Sequence, residues 1–385
     1  MTRARAERLS RVDPATADAW RALSRRALEP NPYFDVDFLR DAHRHLAPEV
    51  DPLVVTAWDG DDLVGVLPCV ESPRWHGLPV RVRSTAPPLG STMVDLHTPL
   101  LAPDAAVAAS TALLSWATAG RGPVVLELPV LGADGEAWPA LRQAARRLGA
   151  SLRVWGTGVR GAVVPTSPAR VSPAPTGPVG PGPVPVPVDA LVAHLSASRR
   201  KSVRRTAAAL AAAHGPLTWC DRSADPAAVE EVVRMEAAGW KGRPERGGQG
   251  IEVLDGGTTW WRGLTARLRA ADRLLVGELA AGGKPVFLTV TYREGDRWFG
   301  GRDVYAEDLR EYGPGVLGRL AEAWWAREQG AVFDSCVNPA VYPDIARLYP
   351  DRRAVVSVVV SRGLLGRGVL AAAVAAHERR RARET

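Results

Sequence analysis

The fold is decided by residues 285–336, which read PVFLTVTYREGDRWFGGRDVYAEDLREYGPGVLGRLAEAWWAREQGAVFDSC. Two runs of β-branched and aromatic residues, 285–292 and 298–305, flank the turn formers at 293–297, and this pattern predicts a β-hairpin. Apolar residues then recur at helical spacing from Pro314 onwards. The stretch therefore begins with two neighbouring strands and continues into a helix.

The helix that follows the hairpin has both ends marked. Pro314 stands in its first turn and Gly330 follows its last residues, which is the favoured polarity of proline and glycine. The apolar run 332–336 comes next and predicts another strand. Because a helix lies between that strand and residues 298–305, the two strands are predicted to be parallel.

The turn before the helix has the chemistry of an anion-binding loop. A helix start leaves backbone N–H groups without partners and carries partial positive charge, and glycines let a pyrophosphate approach the main chain. Arg310, Gly313 and Gly315 supply a charged donor and two such glycines, whereas Pro314 removes one N–H. The alternative interpretation is an ordinary helix-starting turn without a ligand.

The spacing Arg310-x-x-Gly313-x-Gly315 resembles the Arg/Gln-x-x-Gly-x-Gly/Ala pyrophosphate loop of the GNAT N-acyltransferase superfamily. This resemblance implies that acetyl-CoA or another acyl-CoA is the cosubstrate and that no metal is needed. It implies a binding set made of the loop and the first helical turn: Arg310, Tyr312, Gly313, Gly315, Val316 and Leu317.

Composition indicates an ordinary globular protein. The 385 residues suffice for two domains, and 46% hydrophobic with 24% charged residues excludes disorder of the whole chain. The formal charge of +7 suits phosphorylated ligands. Cys69, Cys220 and Cys336 have neither metal-site nor disulfide spacing. We expect a cytoplasmic protein, since neither a leader nor a membrane span is evident in the sequence.

The two halves of the chain show the same predicted order of elements. Residues 53–67 form a strand, a glycine turn and a strand, as residues 274–288 do, and strand 124–128 follows a helix as strand 332–336 does. The first copy lacks the glycine loop, so acyl-CoA binding is predicted for the second copy alone. The predicted fold is α/β (α+β), with two tandem GNAT-like lobes, each a mixed twisted sheet flanked by helices.

The domain boundaries follow from composition. Residues 1–164 are predicted to form the first lobe, and the proline-rich residues 165–187 a linker or surface loop. Residues 188–385 are predicted to form the acyltransferase lobe. Its first helix, 188–214, carries a basic run, and its last, 364–383, is predicted to pack against the first lobe.

A second set of residues sharpens the resemblance. The basic run Arg199 to Arg205, Glu236 with Trp240 and Lys241, and Phe333-Asp334 look like the CelD-like acetyltransferase branch of GNAT proteins. That branch is similar in plan to the two-lobed Fem-type peptidyltransferases. The resemblance implies transfer of an acyl group from a thioester, or of an aminoacyl group from tRNA, to an amine.

Direct attack of an amine on a thioester needs an acid for the leaving thiolate and a base for the amine. Tyr349 is the predicted acid because Ala346-Arg-Leu-Tyr349 resembles a superfamily segment, and Tyr342 is the substitute. Asp303 and Asp334 are the predicted bases, with Glu236 third. The glycine-rich loop 242–257 is predicted to cover the substrate, and the predicted acceptor pocket is lined by Glu236, Trp240, Lys241 and Arg302.

The predicted function is N-acyltransfer, in a ternary complex, from acyl-CoA to a small-molecule or cell-envelope amine. An aminoacyl-tRNA-dependent Fem-like ligase and a noncatalytic GNAT-fold binding protein are the alternatives. DNA binding is not expected, because nucleic-acid binding through arginine would require one continuous basic face. The residues do not identify the acceptor, the acyl chain length or the oligomeric state.

Overall fold

The computed structural model describes residues 1–85, 95–165, 182–338, 341–342 and 344–384. Most of the predicted linker 165–187 lies outside the described residues. The described chain divides into two compact units, one made of Met1–Gly158 with Ala354–Thr385 and the other of Val159–Arg353.

The strands, in chain order, are β1 (Arg3–Arg8), β2 (Leu53–Asp59), β3 (Asp62–Ser72), β4 (Arg81–Ser84), β5 (Leu100–Leu101), β6 (Val124–Gly132), β7 (Ser151–Val163), β8 (Val184–Pro185), β9 (Leu217–Asp221), β10 (Leu274–Ala281), β11 (Lys284–Glu294), β12 (Arg297–Tyr305), β13 (Val332–Asp334) and β14 (Asp351–Ser361). The helices are α1 (Pro14–Arg26), α2 (Val36–Leu46), α3 (Ala106–Ala117), α4 (Ala137–Arg147), α5 (Val188–Val192), α6 (Ala197–His214), α7 (Pro226–Ala238), α8 (Gly257–Ala270), α9 (Pro314–Glu328) and α10 (Gly363–Glu384).

The predicted order of elements is confirmed in both units. In the second unit β10, β11 and β12 are antiparallel neighbours, and β12 pairs with β13 in parallel across the connection through α9. In the first unit β2, β3 and β4 are antiparallel neighbours, and β4 pairs with β6 in parallel. Both units are therefore mixed α/β sheets of the same plan, as the duplicated pattern predicts.

The second unit has a sheet of β8, β9, β10, β11, β12 and β13, and the last residues of β7 pair with β13. Helices α5, α6 and α9 bury one face of this sheet, and Leu210, Phe287 and Leu320 belong to the shared core. Helices α7 and α8 contact β12 and β10. These helices fix the positions of the residues discussed below.

Two predicted boundaries differ from the structure. Residues 188–214 form two helices, because the chain leaves the helical conformation before Ser196, the N-cap of α6, at φ −61° and ψ 155°. The second unit ends at Arg353, and residues 354–385 belong to the first unit instead. The reason is that β14 pairs with β6 along Val355–Ser361, a long-range pairing that a local pattern does not encode. Helix α10 packs there through Leu370, as predicted for that helix.

Candidate active site

The loop before α9 is built as the sequence predicts. A short 3-10 turn, Glu307–Tyr312, leads to Gly313, which has a left-handed conformation at φ 62° and ψ 47° and forms the N-cap of α9. That conformation favours glycine because it has no Cβ. Arg310 is exposed and makes no ion pair within the described part of the chain. A free guanidinium thus stands next to the start of a helix of 15 residues.

Few donors remain free at this helix start. The N–H groups of Val316 and Leu317 donate to Gly313 O at 3.0 and 3.1 Å, and Pro314 has none. Gly315 N–H is left without an acceptor among the residues that are described. The prediction of an anion site at this helix start therefore rests on Gly315 N–H, Arg310 and the helix dipole.

The other predicted loop residues have different surroundings. The ring of Tyr312 packs edge-on against His214, with 5.6 Å between ring centroids. Val316 is 37% exposed, whereas Leu317 is 1% exposed and belongs to the core. Leu317 therefore anchors the helix, and any contact with a ligand would fall to the exposed residues of the set.

Next to this loop, two parallel strands separate. The pairing of β12 with β13 ends at Phe299 and Asp334. A β-bulge follows at Gly301, where the register with β11 shifts and an added Cβ would lie 2.9 Å from Val290 O. Bulges bend a strand and re-aim its side chains. The rest of β12 therefore runs on without β13 at its side.

The free edge of β12 carries backbone groups that alternate in direction. Ala306 N–H donates to Val286 O, so every second residue back along β12 also faces β11. By that alternation the N–H and C=O groups of Asp303 and Tyr305 point away from β11, to the side where β13 has ended. They form a hydrogen-bonding edge close to the start of α9.

The corresponding edge of the first unit is occupied. There the parallel pair of β4 and β6 ends at Ser84 and Glu127. His97 lies across the gap, because its N–H donates to Val130 O at 3.1 Å and its Nδ1 lies 3.1 Å from Thr85 O. The absence of donor binding by the first copy stays a prediction.

Five charged side chains of the second unit form a connected cluster, which we call the charge cluster: Glu236, Lys241, Arg302, Asp303 and Arg319. Arg302 Nε donates to Glu236 Oε1 at 2.6 Å, and Arg319 Nε to Asp303 Oδ2 at 2.5 Å. Lys241 Nζ donates to Asp303 O at 2.6 Å. The structure thus brings together three of the four predicted acceptor residues with one predicted base.

The ion pairs set the charge states of this cluster. Burial alone would raise the pKa of Asp303, but Arg319 and Lys241 outweigh it and hold that pKa well below its usual range. Burial lowers the pKa of Lys241, which Asp303 and Glu236 partly offset. Asp303 is consequently ionised and weakly basic, so these contacts argue against its predicted role as base.

Trp240, the fourth predicted acceptor residue, connects two loops. Its N–H donates to Glu307 Oε2 at 2.5 Å, and Glu307 begins the turn that leads to Gly313. The segment after it is held by Ile251 N–H, which donates to Glu236 Oε2 at 2.6 Å. The loop predicted to cover the substrate is therefore fastened both to the anion loop and to the charge cluster.

Glu322 is a buried carboxyl that the sequence analysis missed. It lies on α9, is 4% exposed, and its Oε1 accepts hydrogen bonds from Thr289 and Thr291 at 2.8 Å each. Burial raises its pKa to about 7, against the effect of these two hydrogen bonds. The sequence signal for this buried carboxyl was a pair of threonines in an apolar strand together with a glutamate in an apolar helix.

This carboxyl predicts a pH dependence of stability. Because the folded state holds the proton of Glu322 to higher pH than the unfolded chain, its contribution to stability falls between pH 4.5 and about 7. Glu322→Gln removes that fall. We therefore expect the difference in unfolding free energy between Glu322→Gln and wild type to shift by about 2–3 kcal/mol in favour of the variant when the pH is raised from 5 to 8. Urea denaturation at both pH values measures the gain.

Glu230→Gln is the matched control. Glu230 is half exposed, and its hydrogen bond with Arg262 lowers its pKa, so its small effect has the opposite sign. If the unfolding free energies of wild type and Glu322→Gln change with pH in the same way, the pKa of Glu322 is not raised and this prediction is wrong.

The predicted acid, Tyr349, is buried beneath the same sheet. It is 2% exposed, stacks on Phe333 with 5.7 Å between centroids, and burial raises its pKa well above the usual value. It therefore keeps its proton at neutral pH, as an acid must. The substitute, Tyr342, is 45% exposed.

Asp334 has its oxygens occupied. Oδ2 accepts from Arg160 and Arg353 at 2.5 Å each, and Oδ1 accepts from Cys336 N–H at 2.9 Å. Burial would raise the pKa of Asp334, but the two arginines outweigh it and lower the pKa. These contacts favour a structural role for Asp334 over the predicted role as base.

The basic run at the start of α6 is exposed in part. Arg204 pairs with Asp189 at 2.7 Å, whereas Lys201 and Arg205 are exposed and make no ion pair with the described residues. Within the described ranges, no helix is long and apolar enough to cross a membrane. The same ranges contain no group of three or more His, Cys, Asp and Glu side chains that could hold a metal ion.

Residues 197–342, which span the charge cluster and the anion loop, match the family model described as acetyltransferase (GNAT) domain. This match, which covers less than half of the chain, indicates an acyltransferase. Comparison with curated proteins gives no significant match.

Solved structures with a similar course of the chain are distant. A conserved protein of unknown function from Bacteroides thetaiotaomicron has a TM-score of 0.47 at 11% identity, covering 91% of this chain and 98% of that one. FemX has a TM-score of 0.38 at 11% identity, and the match covers 88% of this chain and 95% of FemX. A tandem GNAT protein from the clavulanic acid biosynthesis pathway has a TM-score of 0.37 at 16% identity, and the match covers 93% of this chain and 98% of that one. Such values indicate neither a donor nor a substrate.

Proposed function

We propose that the protein transfers an acyl group, in the first instance acetyl, from acyl-CoA to an amine. The observation that carries this proposal is the free anion site at the start of α9, next to the free edge of β12 within a GNAT domain. A pyrophosphate fits the former and an extended amide-bearing chain fits the latter. Acyl-CoA has both of these parts.

The donor would lie along these two features in order. Its pyrophosphate accepts a hydrogen bond from Gly315 N–H and forms an ion pair with the guanidinium of Arg310. Neither group has another partner among the described residues. Its amide-bearing arm then pairs with the backbone groups of Tyr305 and with Asp303 N–H on this edge, since Asp303 O already accepts from Lys241. The thioester consequently reaches the charge cluster.

The reaction would then be direct attack. A neutral amine attacks the thioester carbon, the C–N bond forms, the C–S bond breaks, and the thiolate takes a proton. Tyr349, which keeps its proton at neutral pH, is proposed as the donor of that proton. Glu322, with a pKa near 7, matches the task of accepting the amine proton better than Asp303 does.

Calorimetric titration tests donor binding. We expect saturable binding of acetyl-CoA by wild type, and a loss of about 10- to 100-fold in affinity for Arg310→Ala, because the guanidinium would form a charge-assisted bond with the pyrophosphate. Arg297→Ala, at an exposed arginine that begins β12, is the control and should bind as wild type does. Folded wild-type protein that binds no CoA ester would refute the acyl-CoA donor.

An aminoacyl-tRNA donor is the second candidate. The exposed basic start of α6 favours it, since unpaired arginine and lysine side chains attract a phosphate backbone. Salt-dependent tRNA binding without CoA binding would support this candidate. The CelD-like branch and a cell-envelope or small-molecule acceptor remain part of the proposal, and they rest on the residues Glu236, Trp240 and Lys241 together with the basic run.

A further inference from the structure

Lys241 reaches a backbone atom that a strand neighbour would normally occupy. Its Nζ donates to Asp303 O at 2.6 Å, on the edge of β12 that lies beyond the end of β13. The ammonium therefore stands at the gap between the two strands rather than in an outer pocket. That position is next to the proposed thioester.

The backbone around Lys241 is held tightly. Gly250 N–H donates to Lys241 O at 2.8 Å, and a Cβ at Gly242 would lie 2.2 Å from Ala237 O. The N–H of Trp240 is fixed by Glu307. The side chain of Lys241 is still 25% exposed, so a fixed ammonium remains accessible to a ligand.

The ammonium has hydrogen-bonding capacity left. It carries three N–H donors, of which one is used by Asp303 O. The nearest carboxylate oxygens, Asp303 Oδ1 and Glu236 Oε1, lie at 3.5 and 3.9 Å, beyond the length of a good hydrogen bond. Among the residues that the structure describes, the other two donors therefore have only these more distant acceptors.

The charge of Lys241 is also in excess. Glu236 is already paired with Arg302, and Asp303 with Arg319, so two carboxylates face three cations in the charge cluster. Glu322 lies on α9 as Arg319 does, but it is bonded to Thr289 and Thr291 and is only partly ionised near neutral pH. The cluster is suited to one additional negative charge.

We propose that Lys241 is a catalytic residue that donates a hydrogen bond to the thioester carbonyl oxygen and stabilises the oxyanion formed during transfer. When the amine nitrogen bonds to the carbonyl carbon, the carbonyl π electrons move to the oxygen, and the ammonium of Lys241 faces that charge. When the C–S bond breaks, the carbonyl re-forms and the thiolate takes a proton. The inference rests on the proposed function, and it moves Lys241 from the predicted acceptor pocket to the donor carbonyl.

Isotope-edited infrared spectroscopy tests the contact without a known acceptor. The full-length protein is mixed with acetyl-CoA carrying ¹³C at the thioester carbonyl, and the C=O stretch is recorded free and bound. We expect the stretch to move to lower frequency in wild type, and this shift to be lost in Lys241→Met. Lys284→Met, at an exposed lysine at the start of β11, should keep the shift. Lys241→Gln serves as a second neutral variant if Lys241→Met does not fold.

The outcomes separate the two proposals. Absence of acetyl-CoA binding by wild type refutes the proposed donor. Binding without a shift in wild type, or a shift that persists in a folded neutral variant, overturns the role of Lys241 and leaves the donor proposal standing. With an amine found by screening, Lys241→Met should lower kcat by about 10²–10³-fold with little change in acetyl-CoA affinity.

Discussion

Asp334→Asn is expected to lower the free energy of unfolding by about 3–5 kcal/mol, because it removes the carboxylate between the buried Arg160 and the half-buried Arg353. Arg160 is 1% exposed and Asp334 5% at the side chain, so water cannot replace the lost contact. Urea denaturation followed by tryptophan fluorescence measures the change in midpoint.

Asp344→Asn is a matched control for that variant. It breaks a pair of the same residue types, Arg347 with Asp344 at 2.9 Å, whose side chains are 68% and 70% exposed. We expect a change below about 1 kcal/mol there. If Asp334→Asn keeps its stability and binds acetyl-CoA but loses acyl transfer, the predicted role of Asp334 as base would be right and the structural role wrong.

Phe287→Ala is expected to cost about 3–5 kcal/mol, as the removal of a buried aromatic ring does. Phe287 is fully buried in β11, and its ring fills the space against α9. A Cβ at Gly318 of α9 would lie 2.1 Å from that ring, so helix and strand are in close contact. Thermal and urea denaturation measure the cost.

The same contact predicts a coupling between the two positions. Gly318→Ala alone should destabilise by about 1–3 kcal/mol through overpacking, whereas Gly368→Ala in α10, with nothing near its added Cβ, should stabilise slightly. In the double variant Phe287→Ala, Gly318→Ala the methyl group enters the vacated space. The double variant should therefore lose at least about 1 kcal/mol less unfolding free energy than the sum of the two single losses. Strict additivity of the losses would contradict this packing.

The fold was largely predictable because its elements are locally marked. Helix α9 begins at Pro314, as predicted, and α7 and α2 likewise begin at local signals, after their caps Asp225 and Asp35. The parallel pairing of β12 with β13 followed from chain order alone. The assignment of β14 to the first unit was not predictable, because nothing in residues 351–361 indicates which strand they pair with.

The site was predictable in part for the same reason. The glycine loop and the group of Glu236, Lys241 and Arg302 lie in segments with distinct local patterns, and the structure brings the latter together. Arg319 and Glu322 were missed because they stand in an apolar helix whose partners are distant in sequence. The ion pairs that lower the pKa of Asp303 and of Asp334 are likewise long-range contacts.

The membership of β14 in the first unit has a consequence for synthesis on the ribosome. When Met1–Gly158 has emerged, its sheet still lacks the strand that pairs with β6, and about 200 further residues must be translated first. At about 5–20 residues per second this takes about 10–40 seconds. During that interval the apolar edge of β6 is unprotected and open to wrong pairing. Val159–Arg353, by contrast, is one continuous segment and is complete before the unit that precedes it.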